Sequence, residues 1–469
     1  MRLILQVLGR LKYDEVTFTM GEEGKPIKDC FSSRVLAKRL GDSEIIFLVP
    51  ESLAIELVDN KNDLKELLNN KDKLREEICK RTSINEKCDV IIIQSIGTYK
   101  SEGKNFSINF LNTADNISAS IIIDLLERIK RYEEIILDVS TGHNIYIASL
   151  MDAIRALVVY FKLENIIRGE KIPIFKIAYA PPIMQSKKGE EIKYPIRLYD
   201  FDVKAFFDLP LKKNIKIEDL IKKLKNEENI KLRKELDEKF KDKEVHFNEL
   251  INKTKLAYNA IRYNTPLAYF DDEIISLDIE EEILLSDLKE VLKYIMENKK
   301  ELENNNEIVI KRPSIERTIS INLLLTIAFY EALREFKENL SMPASIDIIE
   351  REFKSIYEKV GLGLNSRFLE RDLKEIKNLI SYLNIEEEVS VKELKQRKLE
   401  KLILKFKEHE ESDSKTKEGD IKRNFFAHSG FEETVTLIKK IGEKNGGILL
   451  RYKPEKKEEI KCWLKNPEK

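Results

Sequence analysis

Residues 135–144 read IILDVSTGHN. The first part is an unbroken apolar run, the pattern of a strand buried on both faces. The second part sets Ser140, Thr141, Gly142, His143 and Asn144 ahead of a helical pattern over Asn144–Phe161, so the chain turns here from strand to helix. Gly142 lets the backbone come close to a ligand, and the free N–H groups of the helix start favour an anion. A phosphodiester or nucleotide suits such a turn, with His143 as a protonatable ring beside it. The same residue types also serve as ordinary helix caps.

Similar strand runs lie to either side, at Leu3–Leu8, Glu44–Val49, Val90–Gln94 and Ile174–Tyr179, with Tyr194–Val203 expected at a sheet edge. A hairpin is expected around Gly21–Gly24, and helical patterns over Ser32–Leu40, Leu64–Lys80 and Ile117–Arg131. Strands that alternate with helices predict a parallel, doubly wound α/β sheet, whose ligands sit beyond the carboxyl ends of the strands. The loops to inspect there begin at Gly9, Ser95, Ser140 and Ala180. Gly9, Arg10, Tyr13, Ser95, Gly97 and Thr98 would then join residues 140–144 along one edge. No G-x-G-x-x-G and no P-loop with GK[ST] occurs, which disfavours ordinary dinucleotide or triphosphate binding.

From about residue 204 the pattern changes. Lys212–Lys243 is dense in Lys and Glu and reads as a charged helical connector with a solvated face. Helical patterns follow over Phe247–Arg262, Ile279–Lys299, Ser320–Lys337, Ile346–Val360, Phe368–Leu383, Val391–Phe406 and Asn424–Lys444, with no strand run like those of the first half. This predicts an all-α bundle with an insertion and divides the chain into 1–203, 204–245 and 246–469.

The chain has 469 residues, with 36% of them charged, yet Lys+Arg 83 and Asp+Glu 84 nearly cancel. Any nucleic-acid contact must therefore use a local patch. Cys30, Cys79, Cys88 and Cys462 form no CxxC pair, which argues against a zinc cage, and scattered thiols suit a reducing interior. The most apolar helical stretch is read as Ile319–Leu333, too short to span a bilayer, and a cytoplasmic location is expected.

In the helical half, Arg423-Asn424-Phe425-Phe426-Ala427-His428 holds an Arg and a His five positions apart, about 1.4 helical turns. This pair suits RNA cleavage by the adjacent 2′-OH: the imidazole moves protons near neutral pH, and the guanidinium grips the phosphate as a fork. A His beside two Phe is equally at home as a hydrogen-bonded core residue. Of the remaining histidines, His246 reads as a cap or surface group and His409 as solvated.

A doubly wound domain with a strand–STGHN–helix turn, followed by a helical domain with Arg423-x4-His428, resembles the CARF–HEPN ribonucleases of type III CRISPR systems. Asn259-Ala260-Ile261-Arg262-Tyr263-Asn264-Thr265-Pro266-Leu267 resembles an early bundle segment of that family. The resemblance implies that the CARF edge binds cyclic oligoadenylate, cyclic tetra-adenylate above cyclic hexa-adenylate, as an allosteric activator. It implies that the HEPN domain cuts single-stranded RNA without a metal or other cofactor, leaving a 2′,3′-cyclic phosphate. Arg423 and His428 would be catalytic, with Asn424 assisting, in a homodimer or higher even-numbered oligomer that pairs two such sets. An even-fold ring matches an isologous two-fold interface. The alternative is a non-catalytic CARF sensor that binds DNA as a transcriptional regulator. A third reading gives the CARF residues Ser140, Thr141 and His143 a slow phosphodiesterase activity on the ring.

Overall fold

A computed structural model describes residues 1–22, 24–82, 84, 88–181, 192–223, 227–304, 306–383, 387–403, 418–440 and 447–468. His409 and most of the polar stretch around it lie outside these residues. The first half runs β1 (Arg2–Val7), β2 (Val16–Met20), β3 (Ile27–Asp29), α1 (Ser32–Leu40), β4 (Ser43–Pro50), α2 (Ala54–Leu57), α3 (Lys61–Asn69), α4 (Lys71–Arg81), β5 (Cys88–Ile93), β6 (Gly97–Lys100), β7 (Ser107–Leu111), α5 (Ala114–Ile129), β8 (Glu134–Asp138), α6 (Asn144–Glu164), β9 (Ile174–Tyr179) and β10 (Lys193–Asp200).

The main sheet has the order β3-β2-β10-β9-β8-β1-β4-β5. Its centre is parallel, with β1 between β8 and β4. Strand β1 is buried from Leu3 onward, as its unbroken apolar run requires. The Gly21–Gly24 hairpin is present as β2 and β3. The segment expected at the edge is not there: β10 runs antiparallel to β9 and carries β2 on its other side. The β2–β3 hairpin occupies that edge instead.

The second half runs α7 (Glu227–Lys239), α8 (Lys241–Arg262), α9 (Glu281–Glu297), β11 (Lys300–Asn304), β12 (Glu307–Lys311), α10 (Arg317–Glu338), α11 (Ile346–Lys359), α12 (Gly363–Leu383), β13 (Val389–Ser390), α13 (Val391–Ile403), α14 (Glu418–Ala427), β14 (Thr436–Lys440), β15 (Ile448–Tyr452) and α15 (Lys457–Lys465). It is helical but not all-α. Strands β11 and β12 join β7 and β6 in a second sheet, with Ile308 beside Ile108 and Ile310 beside Phe110. The expected helix over Asn424–Lys444 is also corrected. It stops at Ala427 because Ser429 and Gly430 both take left-handed conformations, and beyond them Thr436 and Ile438 are buried at strand spacing.

The two halves share one apolar core that includes Leu5, Leu157, Ile327 and Phe425. The connector contributes Ile217, Leu220, Leu236 and Phe240 to it, so only one face of that segment is solvated. Helix α6 lies against α5 and α10. Among the described residues it is the one helix long and apolar enough to cross a membrane, so the most apolar stretch lies here and not at 319–333. More than half of it is buried in the protein. Polar pins cross the same joint. Arg312 forks onto Glu51 at 2.7 and 2.9 Å, both side chains being almost fully buried, and Arg317 Nε donates to Asp152 at 2.8 Å.

Candidate functional site

Strands β1 and β8 are neighbours, so the loops at their carboxyl ends meet. A Cβ on Gly9 would lie 3.1 Å from Gly142 Cα, and one on Gly142 would lie 2.9 Å from Val7 Cγ1. Gly142 has φ +99°, so both its conformation and its surroundings exclude a side chain. The hydroxyls of this turn point inward. Thr141 Oγ1 donates to the Val7 carbonyl at 2.9 Å and accepts from Gln6 Nε2 at 2.8 Å. Ser140 Oγ accepts from the Ala180 N–H at 2.9 Å and also bonds Asp138. Asp138 is fully buried and accepts from Ser32 Oγ at 2.5 Å and the Ser140 N–H at 3.0 Å. Burial pushes its carboxyl above the usual range, and the Ser140 and Ser32 hydrogen bonds pull the other way.

What the turn offers to solvent is its backbone, the His143 ring and the Asn144 side chain, the last two exposed. His143 stands at the start of α6 without capping it, and no acidic residue lies in the first turn of that helix. The positive helix end is therefore uncompensated there. Alongside, the Tyr13 hydroxyl accepts from the Gly9 N–H at 2.8 Å, and the exposed Arg10 guanidinium lies 4.8 Å from the Tyr13 ring centre. Burial raises the Tyr13 hydroxyl pKa. Ser95 is a correction to the expected set. It is fully buried, its Oγ accepts from the Ser52 N–H at 2.8 Å, and its own N–H donates to Glu51 at 3.0 Å. Gly97 and Thr98 are exposed on β6. That strand is tied to the α6 start through the Tyr99 and Tyr146 hydroxyls, 2.6 Å apart.

In the helical half, α14 is anchored by Phe425, fully buried against Tyr452 and Trp463. Phe426 is half-buried on Tyr263. Arg423 and His428 are both exposed, which rejects the core reading of the histidine. Asn424 and His428, one turn apart, line the same small cleft of about 110 Å³. The turn behind His428 is held from two sides. Ser429 Oγ donates to Asp372 at 2.6 Å and accepts from Asn264 Nδ2 at 2.8 Å. Gly430 sits so close to Thr265 and Tyr452 that a Cβ would meet them at 3.1 and 2.9 Å. The 259–267 segment is thus the bracket of the Arg–His helix.

Models of the CRISPR system endoribonuclease Csx1 match the sequence twice: the CARF domain over residues 3–181 and the HEPN domain over residues 362–455. Together the two matches take in more than half of the chain. The chain belongs to the Csx1 family. No curated protein gives a significant match. The HEPN match makes the carboxyl-terminal part a ribonuclease module, and it contains the exposed Arg423–His428 segment. The CARF match makes the amino-terminal part a sensor of a cyclic-oligoadenylate-type ligand, and it contains both meeting glycine turns.

Two carboxylates of this site were missed in the sequence. Asp372 and Glu432 are buried and line the His428 cleft with Glu375 and Glu433, against the single base Lys395. Asp372 adjoins the buried Leu373 in a helix where acidic and basic residues are mixed, so no spacing signal separates it from its solvated neighbours. Among the described residues, no three of His, Cys, Asp and Glu come together as a metal site would require.

Proposed function

We propose that the chain is a cytoplasmic endoribonuclease switched on by cyclic oligoadenylate, with cyclic tetra-adenylate the favoured ring, and acting in type III CRISPR antiviral defence. Residues 1–203 would form the sensing unit, 204–245 the connector and 246–469 the nuclease unit. The observation that carries the reading is the exposure of Arg423 and His428, in and just after a helix whose Phe425 anchors it in the core. Two chains would bring two such sets to one cleft. The guanidinium of Arg423 binds the scissile phosphate and offsets its growing negative charge. A ribose 2′-OH attacks the phosphorus, its proton leaves, the P–O5′ bond breaks, and the 5′ oxygen takes up a proton. The products are a 2′,3′-cyclic phosphate and a 5′-hydroxyl, and no metal is required by this proton balance. His428 handles a proton in this exchange, and Asn424 lines the cleft beside it.

At the other end, the ring would lie over Gly9 and Gly142, with phosphates at the α6 start and Arg10, His143 and Asn144 around it. The inward hydrogen bonds of Ser140 and Thr141 fit a scaffold role better than attack on the ring. The test is cleavage of a labelled single-stranded RNA with a panel of cyclic oligoadenylates of different sizes, for the parent and for His428→Ala. One ring should activate the parent, and His428→Ala should bind that ring equally well without cutting RNA. Cleavage by the variant at the parent's rate would refute the assignment.

A further inference from the structure

A second surface of the helical half has the opposite electrostatics to the His428 cleft. A groove of about 600 Å³ runs between the stretch after β10, helix α8 and the carboxyl-terminal residues after α15. Four basic side chains line it against two acidic ones. Lys212 is matched to Asp208 at 3.2 Å, and Glu468 accepts from the Tyr263 hydroxyl at 3.0 Å. Lys255, Arg262 and Lys465 pair with no carboxylate among the described residues. Three unmatched cations around one groove leave a local positive field.

Aromatic rings alternate with these charges. Phe207 and Tyr263 line the groove half-buried, and the neighbouring Phe206 is 72% exposed. A positive groove with rings for bases to stack on is the chemistry that holds single-stranded nucleic acid without regard to sequence. Its position is also telling. Tyr263 packs on Phe426 with ring centres 5.6 Å apart, and Lys422 Nζ donates to the Asn466 carbonyl at 2.7 Å. Helix α14 therefore closes one end of the groove, and Arg423 follows Lys422 directly. The His428 cleft has four carboxylates and one lysine, so attraction for the strand beyond the Arg423 contact has to come from a neighbouring surface.

We infer that the Lys255–Arg262–Lys465 groove is a secondary binding site for single-stranded RNA, which holds the strand beside the Arg423–His428 centre and leads it there. This rests on the ribonuclease reading and extends it to the substrate beyond the cut. The occupant is RNA because the groove combines unmatched cations with exposed rings and adjoins the nuclease helix.

The test uses the full chain with the charge reversals Arg262→Glu and Lys465→Glu together. Both residues are exposed and unpaired, so the fold should be kept. In the His428→Ala background, anisotropy with a long unstructured RNA should show affinity lowered about tenfold or more. The slope of log K against log salt should flatten by about 0.7 for each phosphate that the variant no longer neutralises. With His428 intact, the pair of reversals should slow cleavage of the long RNA but leave that of a dinucleotide, whose single phosphate is the scissile one, at the parent's rate. Arg262→Gln with Lys465→Gln should show the same pattern more weakly. If binding, salt slope and long-RNA cleavage all match the parent, the groove inference falls while the ribonuclease reading stands. If His428→Ala itself cuts RNA, the ribonuclease reading falls first.

Discussion

The turn at Ser140–Asn144 aims its hydroxyls inward, at Val7, Gln6, Asp138 and Ala180, and leaves backbone and a helix start facing solvent. The turn after Ala427 differs in what it presents to solvent. Its own inward hydroxyl, Ser429 Oγ, is held between Asn264 and Asp372, and Gly430 lies against Thr265, while the side chains of Arg423 and His428 face solvent. Each arrangement fits its task. A sensor for a phosphodiester ring needs fixed N–H groups and close backbone approach, which depend on rigid packing beneath. A nuclease needs side chains with a proton to move and a charge to offer, on a support that does not shift. The difference predicts that substitutions at the first turn act on stability, and those at the second on rate.

The largest expected effect breaks the comparison at its catalytic end. His428→Ala should lower the rate of RNA cleavage by about 10²–10⁴-fold. As His428 is exposed, its loss should leave the unfolding free energy within about 0.5 kcal/mol of the parent. Cleavage assays and denaturant melts on the same preparations check both halves. A variant that loses stability in proportion to activity would show that the side chain supports the fold.

Glycine substitutions sharpen the sensor side. Gly142→Ala should cost about 2–3 kcal/mol, since its left-handed φ strains a Cβ that also meets Val7. Gly97 has a similar φ, +96°, but open space around it, so Gly97→Ala should cost only about 1 kcal/mol. The gap between the two denaturant midpoints isolates the packing of the turn on β1. Equal midpoints would mean that the turn relaxes freely and is not the rigid platform described.

Much of this was legible in the residues. IILDV and IIIQ could hardly be anything but strands buried on both faces, and helix Ser32–Leu40 is bounded as its sequence predicts. The Arg–His pair was visible as a motif, though its exposure was not: a His next to two Phe reads equally as core. The second sheet was hidden because β11 alternates charge with a single Leu, and β12 pairs with β7 from the other half of the chain. Non-local pairing leaves no periodic trace. The helix expected past Ala427 failed on local chemistry. Ser429 and Gly430 take a left-handed turn stabilised by Asn264 and Asp372, residues far off in sequence. Ser95 looked like a ligand group because a strand-end serine does, and only its burial under Ser52 and Glu51 assigns it to the scaffold.

The smallest effect concerns the carboxylate beneath the sensor turn. Burial holds the Asp138 carboxyl above its ordinary pKa, so the folded chain keeps this proton more tightly than the unfolded chain. Below the unfolded value, about 3.9, both states carry the proton and its contribution to stability is complete. As pH rises the unfolded chain releases it first, and the contribution is lost as pH passes through the higher folded value. Each tenfold difference in proton affinity is about 1.4 kcal/mol. Stability measured by denaturant midpoint should therefore fall with rising pH by an increment that Asp138→Asn removes, since the amide does not titrate. His428→Ala should keep that increment unchanged, because nothing buried depends on it. If Asp138→Asn and the parent differ by the same amount at every pH, the carboxylate is held charged by Ser32 and Ser140, and the hydrogen bonds at the base of the turn outweigh its desolvation.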